Sequence, residues 1–256
     1  MSLFTRLRKY NENHDELGRF AAGGGSTPVA MTMTQVTAKK GSNDGGVYAD
    51  ALGTKYYVKF YKNPDQARTE ELSSSLFEML GCRTPGPKTA MVNGKHALVT
   101  PWADTFENLS PSEFGQLNDK QKNQVGRMFM GAVLTKNWDV VGTGMDNIVR
   151  DKKTGDMVEV DTGGSFKFRA QGAPKPYDGE IPEAKTLLDV NVDAGKVFSK
   201  VFNSDPQIEQ NSLLAVKKLD MRAVKAKFAA SGLPDAMELY DSFRSRRAKL
   251  LEGSNL

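Results

Sequence analysis

The chain has 256 residues, a mass of 28.1 kDa, a formal net charge of +4 and a pI near 9.0. That length suffices for a full hydrophobic core, no run approaches the ~18 consecutive apolar residues of a membrane helix, and Met1–Phe20 lacks the apolar stretch of a secretory leader. A single cysteine, Cys82, excludes an intrachain disulfide framework, and two histidines, His14 and His96, are too few for most zinc sites.

Glycine is the unusual component: there are 24, and they cluster. The first cluster, Gly23-Gly24-Gly25, closes a polar stretch and reads as part of a flexible arm over residues 1–34. The second, Gly41-Ser42-Asn43-Asp44-Gly45-Gly46, lies between strand-like runs at Met33–Ala38 and Val47–Ala51. Lys55–Tyr61 is rich in β-branched and aromatic residues, so residues 33–62 read as a three-stranded antiparallel meander with a glycine-rich first turn.

Asp65–Leu80 reads as a helix, with Leu72, Leu76, Phe77 and Leu80 at helical spacing and Gly81 as its C-cap. Lys88–Val92 and His96–Pro101 form a hairpin turned by Asn93-Gly94. Leu109–Leu117 suggests a short helix or turn, and Asp119–Asn137 a long amphipathic helix. An irregular loop, Asp139–Asn147, then leads into a hairpin of Ile148–Arg150 and Met157–Val160 turned by Thr154-Gly155. Asp161-Thr162-Gly163-Gly164 follows, then an irregular stretch over 171–182, and mostly helix from Asn191 onward. Cys82 reads as a small buried residue, and Trp102 and Trp138 as core or junction aromatics.

Moving a phosphoryl group demands positioning and charge neutralisation more than covalent chemistry. The kit is a glycine-rich turn, a strand lysine for phosphates, a helix acid to hold that lysine, oxygen ligands for magnesium and an acid to orient the attacking hydroxyl. The chain supplies these in order: Gly41, Ser42, Asn43, Gly45 and Gly46; Lys59, on the strand face shared with Tyr57 and Tyr61; Glu70 or Glu71; Asp139; then Asn147 and Asp161. Taken singly, each is an ordinary surface or turn residue. The ordered combination is what points to a site.

Two segments, Asn137-Trp138-Asp139 through Asp146-Asn147-Ile148 and Val160-Asp161-Thr162-Gly163-Gly164-Ser165, resemble the catalytic and metal loops of atypical kinases. The relatives are the HipA-type bacterial kinases and the phosphatidylinositol 3/4-kinase-like group. Tyr57-Val58-Lys59-Phe60 and Ala67-Arg68-Thr69-Glu70 resemble their nucleotide lobe, and the likeness spans roughly 33–230.

It implies an α+β, bilobal protein-kinase-like fold. Beyond the arm at 1–34 there would be a small antiparallel β-rich N-lobe with one helix over 35–104 and a mainly helical C-lobe over 105–256. ATP and Mg2+ would be the cofactors. Lys59 would bind the α/β-phosphates and Glu70 would pair with it, Asp139 would be the catalytic base, and Asn147 and Asp161 would hold magnesium. The glycine-rich turn would cover the phosphates. Two departures stand out. Seven residues separate Asp139 from Asn147 where the relatives have about four, and Thr162 stands where many kinases have Phe. Asp146 is a further metal or substrate candidate.

The arm segment Asn13-His14-Asp15-Glu16-Leu17-Gly18-Arg19-Phe20-Ala21 resembles a short element of phage virion and head-morphogenesis proteins. It implies a phage or mobile-element origin and an assembly partner for the arm. The setting would be the cytoplasm of a bacterial host, or the virion. The expected substrate is a protein, from the relatives. No membrane partner is expected, and nucleic acid is disfavoured because the basic residues of the C-terminal helices are offset by acids and not interleaved with aromatics. The alternative function is a catalytically inactive kinase-like assembly protein.

Overall fold

The computed structural model describes residues 28–37 and 44–253. A six-stranded sheet comes first in the chain. Its strands are β1 (Val29–Met31), β2 (Thr34–Thr37), β3 (Gly45–Ala49), β4 (Lys55–Phe60), β5 (Lys88–Val92) and β6 (Lys95–Pro101), in spatial order β1-β5-β6-β4-β3-β2. The expected meander is present as antiparallel β2, β3 and β4. The expected arm runs past residue 28, but Val29–Met31 is a strand that pairs in parallel with β5. Asn93, in the β5–β6 turn, fixes this edge: its side chain accepts from Met33 N at 3.0 Å and donates to Met33 O at 2.8 Å.

Strand alternation sorts β4 into two faces. Tyr56 and Val58, with Phe60 at their side, join Met33, Tyr48, Ala90, Val92, Ala97 and Val99 in one apolar cluster. Tyr57 and Lys59 face the other way, toward helix α1 (Pro64–Met79). That helix starts where it does because the Asn63 side chain caps Asp65 N at 3.0 Å and Pro64 supplies a ready-made helical φ.

The rest of the chain is mainly helical. A short 3-10 turn, Glu113–Gln116, precedes α2 (Asp119–Thr135), which opens with a reciprocal Asn118–Gln121 capping box and ends at Lys136 in the left-handed conformation. A second sheet of β7 (Phe106–Asn108), β8 (Ile148–Asp151) and β9 (Met157–Glu159) lies at its side. Then come α3 (Glu183–Asp189), α4 (Val192–Ser204), α5 (Gln207–Lys217), α6 (Met221–Ala230) and α7 (Ala236–Glu252). Strand β7 and helix α3 are additions to the expected elements, since Phe106–Asn108 is short and the start of α3 adjoins the Gly/Pro-rich stretch.

The large core runs through both parts of the molecule: Leu72, Leu76 and Phe77 of α1 pack with Met128, Phe129, Val133 and Leu134 of α2 and with Phe198 and Phe228. Cys82 is buried there as expected. The C-terminal cations are largely committed to the fold. Arg246 is fully buried, Arg247 bonds Val216 O at 3.1 Å, and Lys225 lies 5.9 Å from the Tyr240 ring centroid.

At the α1–α2 crossing the Phe77 ring lies against Gly131, where an added Cβ would come within 2.9 Å of it. The Gly131→Ala variant is expected to lose about 1–3 kcal/mol of stability in chemical denaturation, despite the better helix propensity of alanine.

Candidate active site

Lys59 sits mid-strand in β4, paired with Gly45 on β3 and Leu98 on β6. Its side chain is 9% exposed, and its Nζ lies 2.8 Å from Glu70 Oε1 and 2.8 Å from Asp161 Oδ2. Burial would lower the lysine pKa, but the two carboxylates more than reverse that and hold it well above the usual range. Glu70 is pushed up by burial and pulled back by Lys59. Burial would also raise Asp161, yet Lys59 and the Gly163 N–H keep it below its ordinary value. The Tyr61 hydroxyl donates to Glu70 Oε2, so the acid is held from two sides.

The choice between Glu70 and Glu71 is decided by which face of α1 points inward. Glu70 is 2% exposed and meets Lys59. Glu71 instead accepts from Thr89 N and Thr89 Oγ1, each at 2.8 Å, and pairs with Lys88 at 3.2 Å.

The seven residues between Asp139 and Asn147 fold into a compact turn. Gly142 N donates to Asp139 O, Met145 N to Gly142 O and Asn147 N to Val141 O. Asn147 Nδ2 then reaches back to Asp139 O at 2.7 Å, so the long loop brings its two ends together. At its start, buried Asn137 accepts from Asp139 N at 3.0 Å. Burial, with Asp161 and Asp146 nearby, raises the Asp139 carboxyl to about 6, against a smaller pull from Lys175 and Lys59.

One expectation needs correction. Gly45 and Gly46 belong to strand β3 rather than to a loop. At Gly45, with φ +149°, a Cβ would fall 1.9 Å from Val58 O, so glycine there lets β3 lie close against β4. Gly41, Ser42 and Asn43 lie outside the described residues. Trp138, expected in the core or at a junction, takes the junction: it is 41% exposed and lines the cleft with residues of both parts of the molecule.

That cleft, about 550 Å³ in volume, is walled by Tyr57, Lys59, Asp139, Asp146, Asn147 and Asp161. The donors suit a hard cation. Asn147 spends its amide nitrogen on Asp139 O, which leaves Oδ1 to coordinate. Asp146 Oδ1 and Asn147 Oδ1 converge over Gly142, at 2.3 and 3.1 Å from where its Cβ would stand. Among the described residues no three His, Cys, Asp or Glu side chains cluster as a complete metal set. A magnesium ion would thus take Asp161 and Asn147 from the chain, with phosphate and water completing its shell.

Two more cations border the cleft, Lys175 and Arg169. Lys175 Nζ donates to Gly164 O at 2.6 Å and to Lys136 O, tying the stretch after Asp161 to the end of α2. Burial lowers Lys175 to about 7, with Lys136, Arg246 and Arg169 adding to the effect and Glu183 opposing it. Farther along, the buried Arg246 guanidinium holds the Glu183 carboxylate and the carbonyls of Val133, Asp178 and Glu180. Between Asp161 and Glu183 the hydroxyls are all engaged: Thr162 with Glu70 O, Ser165 with Ser73, and Tyr177 with Leu134 O.

No protein-family model matches the chain, and no curated protein matches it. Among solved structures it is similar to the Helicobacter pylori proinflammatory kinase CtkA, at 12% identity and a TM-score of 0.56 over 88% of this chain and 96% of that one. The Mycobacterium tuberculosis PknI kinase domain matches at 12% identity and TM-score 0.38, over 89% of this chain and 99% of that one. The Leishmania major MAP kinase LmaMPK10 matches at 13% and 0.29, over 86% and 82%. The last two scores are too low to bear on the fold. The chain has a bilobal α+β protein-kinase-like fold.

The sequence reading passed over Glu183, which adjoins the irregular stretch at 171–182. Lys175 and Arg246 had no motif to mark them.

Removing Glu70 leaves buried Lys59 with only half its counter-charge. Glu70→Ala is expected to cost about 3 kcal/mol in urea unfolding, whereas Glu71→Ala costs about 1 kcal/mol. Lys175→Met strips two carbonyls of their donor and is expected to cost about 1–3 kcal/mol in the same assay.

Proposed function

We propose that the chain is an ATP- and magnesium-dependent kinase of the atypical, HipA- and lipid-kinase-like type, which transfers the γ-phosphoryl group to a hydroxyl on a protein. The observation that carries this reading is Lys59 held at 2.8 Å by both Glu70 and Asp161 at a cleft that Asp139 and Asn147 also line. A phosphate-binding lysine must be fixed in place and kept charged, and this arrangement does both.

In this mechanism Lys59 neutralises the α- and β-phosphates, and Glu70, braced by Tyr61, keeps its ammonium aimed into the cleft. Asp161 and Asn147 would hold magnesium, which supplies charge neutralisation across the phosphates. Asp139 orients the acceptor hydroxyl and takes its proton as the acceptor oxygen bonds to the γ-phosphorus. The bond from that phosphorus to the β–γ bridging oxygen breaks, and ADP leaves. Asn137 keeps Asp139 in position through its backbone N–H.

The protein acceptor, the phage or mobile-element origin and an assembly role for the arm are part of the same proposal. They rest on the resemblances in the sequence. The setting would be the bacterial cytoplasm or the virion, and no described helix is long and apolar enough to cross a membrane.

The test is transfer of labelled γ-phosphate from ATP with magnesium, to the protein itself and to host lysate proteins. Lys59→Met and Asp161→Asn are expected to lower transfer by about 10³-fold or more, and Asp139→Asn by about 10²–10⁴-fold. Thermal melts in parallel show whether each variant is folded. No transfer by the wild-type protein, with no ATP-induced thermal shift, overturns the reading. A thermal shift without transfer supports the inactive kinase-like alternative.

A further inference from the structure

A second cavity, about 660 Å³ in volume, lies on the far side of α1, between its C-terminal end, the first turns of α2 and helix α5. Its chemistry is unlike that of the cleft. Arg127 projects from α2 into it, and the guanidinium has no hydrogen bond and no ion pair among the described residues; its Nε is buried without any acceptor. Burying a donor of a charged group without an acceptor is costly, so folded proteins rarely leave one unmatched.

The neighbouring charges do not resolve it. Lys120, at the same wall, is committed to Asp156 at 2.6 Å. Lys218, on the opposite wall, has no ion pair among the described residues, and no acidic side chain lines the cavity. Two cations without an ion pair among the described residues thus border one open-sided cavity, Arg127 from its wall and Lys218 from its exposed rim. The remaining lining divides by chemistry. Met79, Leu80, Leu214 and Ala215 supply an apolar wall, while the amides of Asn123 and Asn211 bond to each other at 2.9 Å rather than to Arg127.

From this we infer that the cavity is a binding site for a small organic anion with an oxyanion head and a compact apolar body. A guanidinium is planar and presents paired donors, which matches the two oxygens of a phosphomonoester or a carboxylate. Lys218 adds a second charge from the rim, and the apolar wall receives the body of the ligand. The site is separate from the cleft, and the inference does not depend on the proposed kinase activity.

The probes are phenyl phosphate and phenylacetate, with phenol as the neutral control, titrated into the full chain by calorimetry. Variants are Arg127→Met, Lys218→Met on the exposed rim, and Lys59→Met in the cleft. At least one anion is expected to bind the wild-type protein, and phenol is not. Arg127→Met is expected to weaken binding about tenfold or more, and Lys218→Met about threefold, while Lys59→Met leaves it unchanged. Phosphate against carboxylate then identifies the head group. If Arg127→Met does not fold, the Lys218→Met and Lys59→Met pair carries the comparison. No binding of either anion, binding that persists in Arg127→Met, or binding lost only in Lys59→Met overturns the inference.

Discussion

A lysine ammonium cannot be taken out of water alone. The cost of an unpaired buried charge is several kcal/mol, which is a large part of the stability of a domain this size. Lys59 is therefore folded into the protein only together with Glu70 and Asp161. That requirement has wide reach, because the three residues come from different places: mid-strand in β4, the middle of α1, and the end of the β8–β9 hairpin. Strand, helix and hairpin must arrive in one relative arrangement for the charges to meet. The close approach of β3 at Gly45, the cap at Asn63 and the packing of Phe77 on α2 all serve that arrangement. The cleft exists because these elements converge there while the neighbouring loop brings Asp139 and Asn147 to the same place.

The elements with strong local signals were legible in the sequence. Helix α1 announces itself through apolar spacing and Gly81 beyond its end, α2 through one apolar face, and two hairpins through Asn93-Gly94 and Thr154-Gly155. What escaped depends on distant partners. Val29–Met31 is a strand only because β5 offers it an edge. Between Glu70 and Glu71, adjacent residues on one helix, periodicity could not choose; the packing of α1 against the sheet did. The glycines show the same limit: composition marked a loop, but Gly45 is needed by a strand crossing too tight for a side chain.

The site follows the same division. Lys59, Asp139, Asn147 and Asp161 could be named because they stand at the ends or centres of readable elements. The spacing of Asp139 and Asn147 was an obstacle that only the folded loop removes, through hydrogen bonds between residues inside it. Lys175 sits in a stretch with no periodicity, and its importance comes from two backbone carbonyls that the sequence does not show. Arg246 looked like one of several surface cations in a basic helix and is instead wholly enclosed. A charged residue's role is set by what surrounds it, and for long-range neighbours that information is in the tertiary structure.

The stretch from Asp161 to Glu183 is pinned at Gly164 by Lys175 and at Glu183 by Arg246, and its three hydroxyls are already occupied with internal partners. Its course is therefore held by partners inside the fold at both ends and between them. Cations already present in the polypeptide, Lys175 and Arg246, supply the charge that holds it. The stretch takes its place as soon as the chain folds, and the wall it gives the cleft at Gly164 and Arg169 needs no further partner to form.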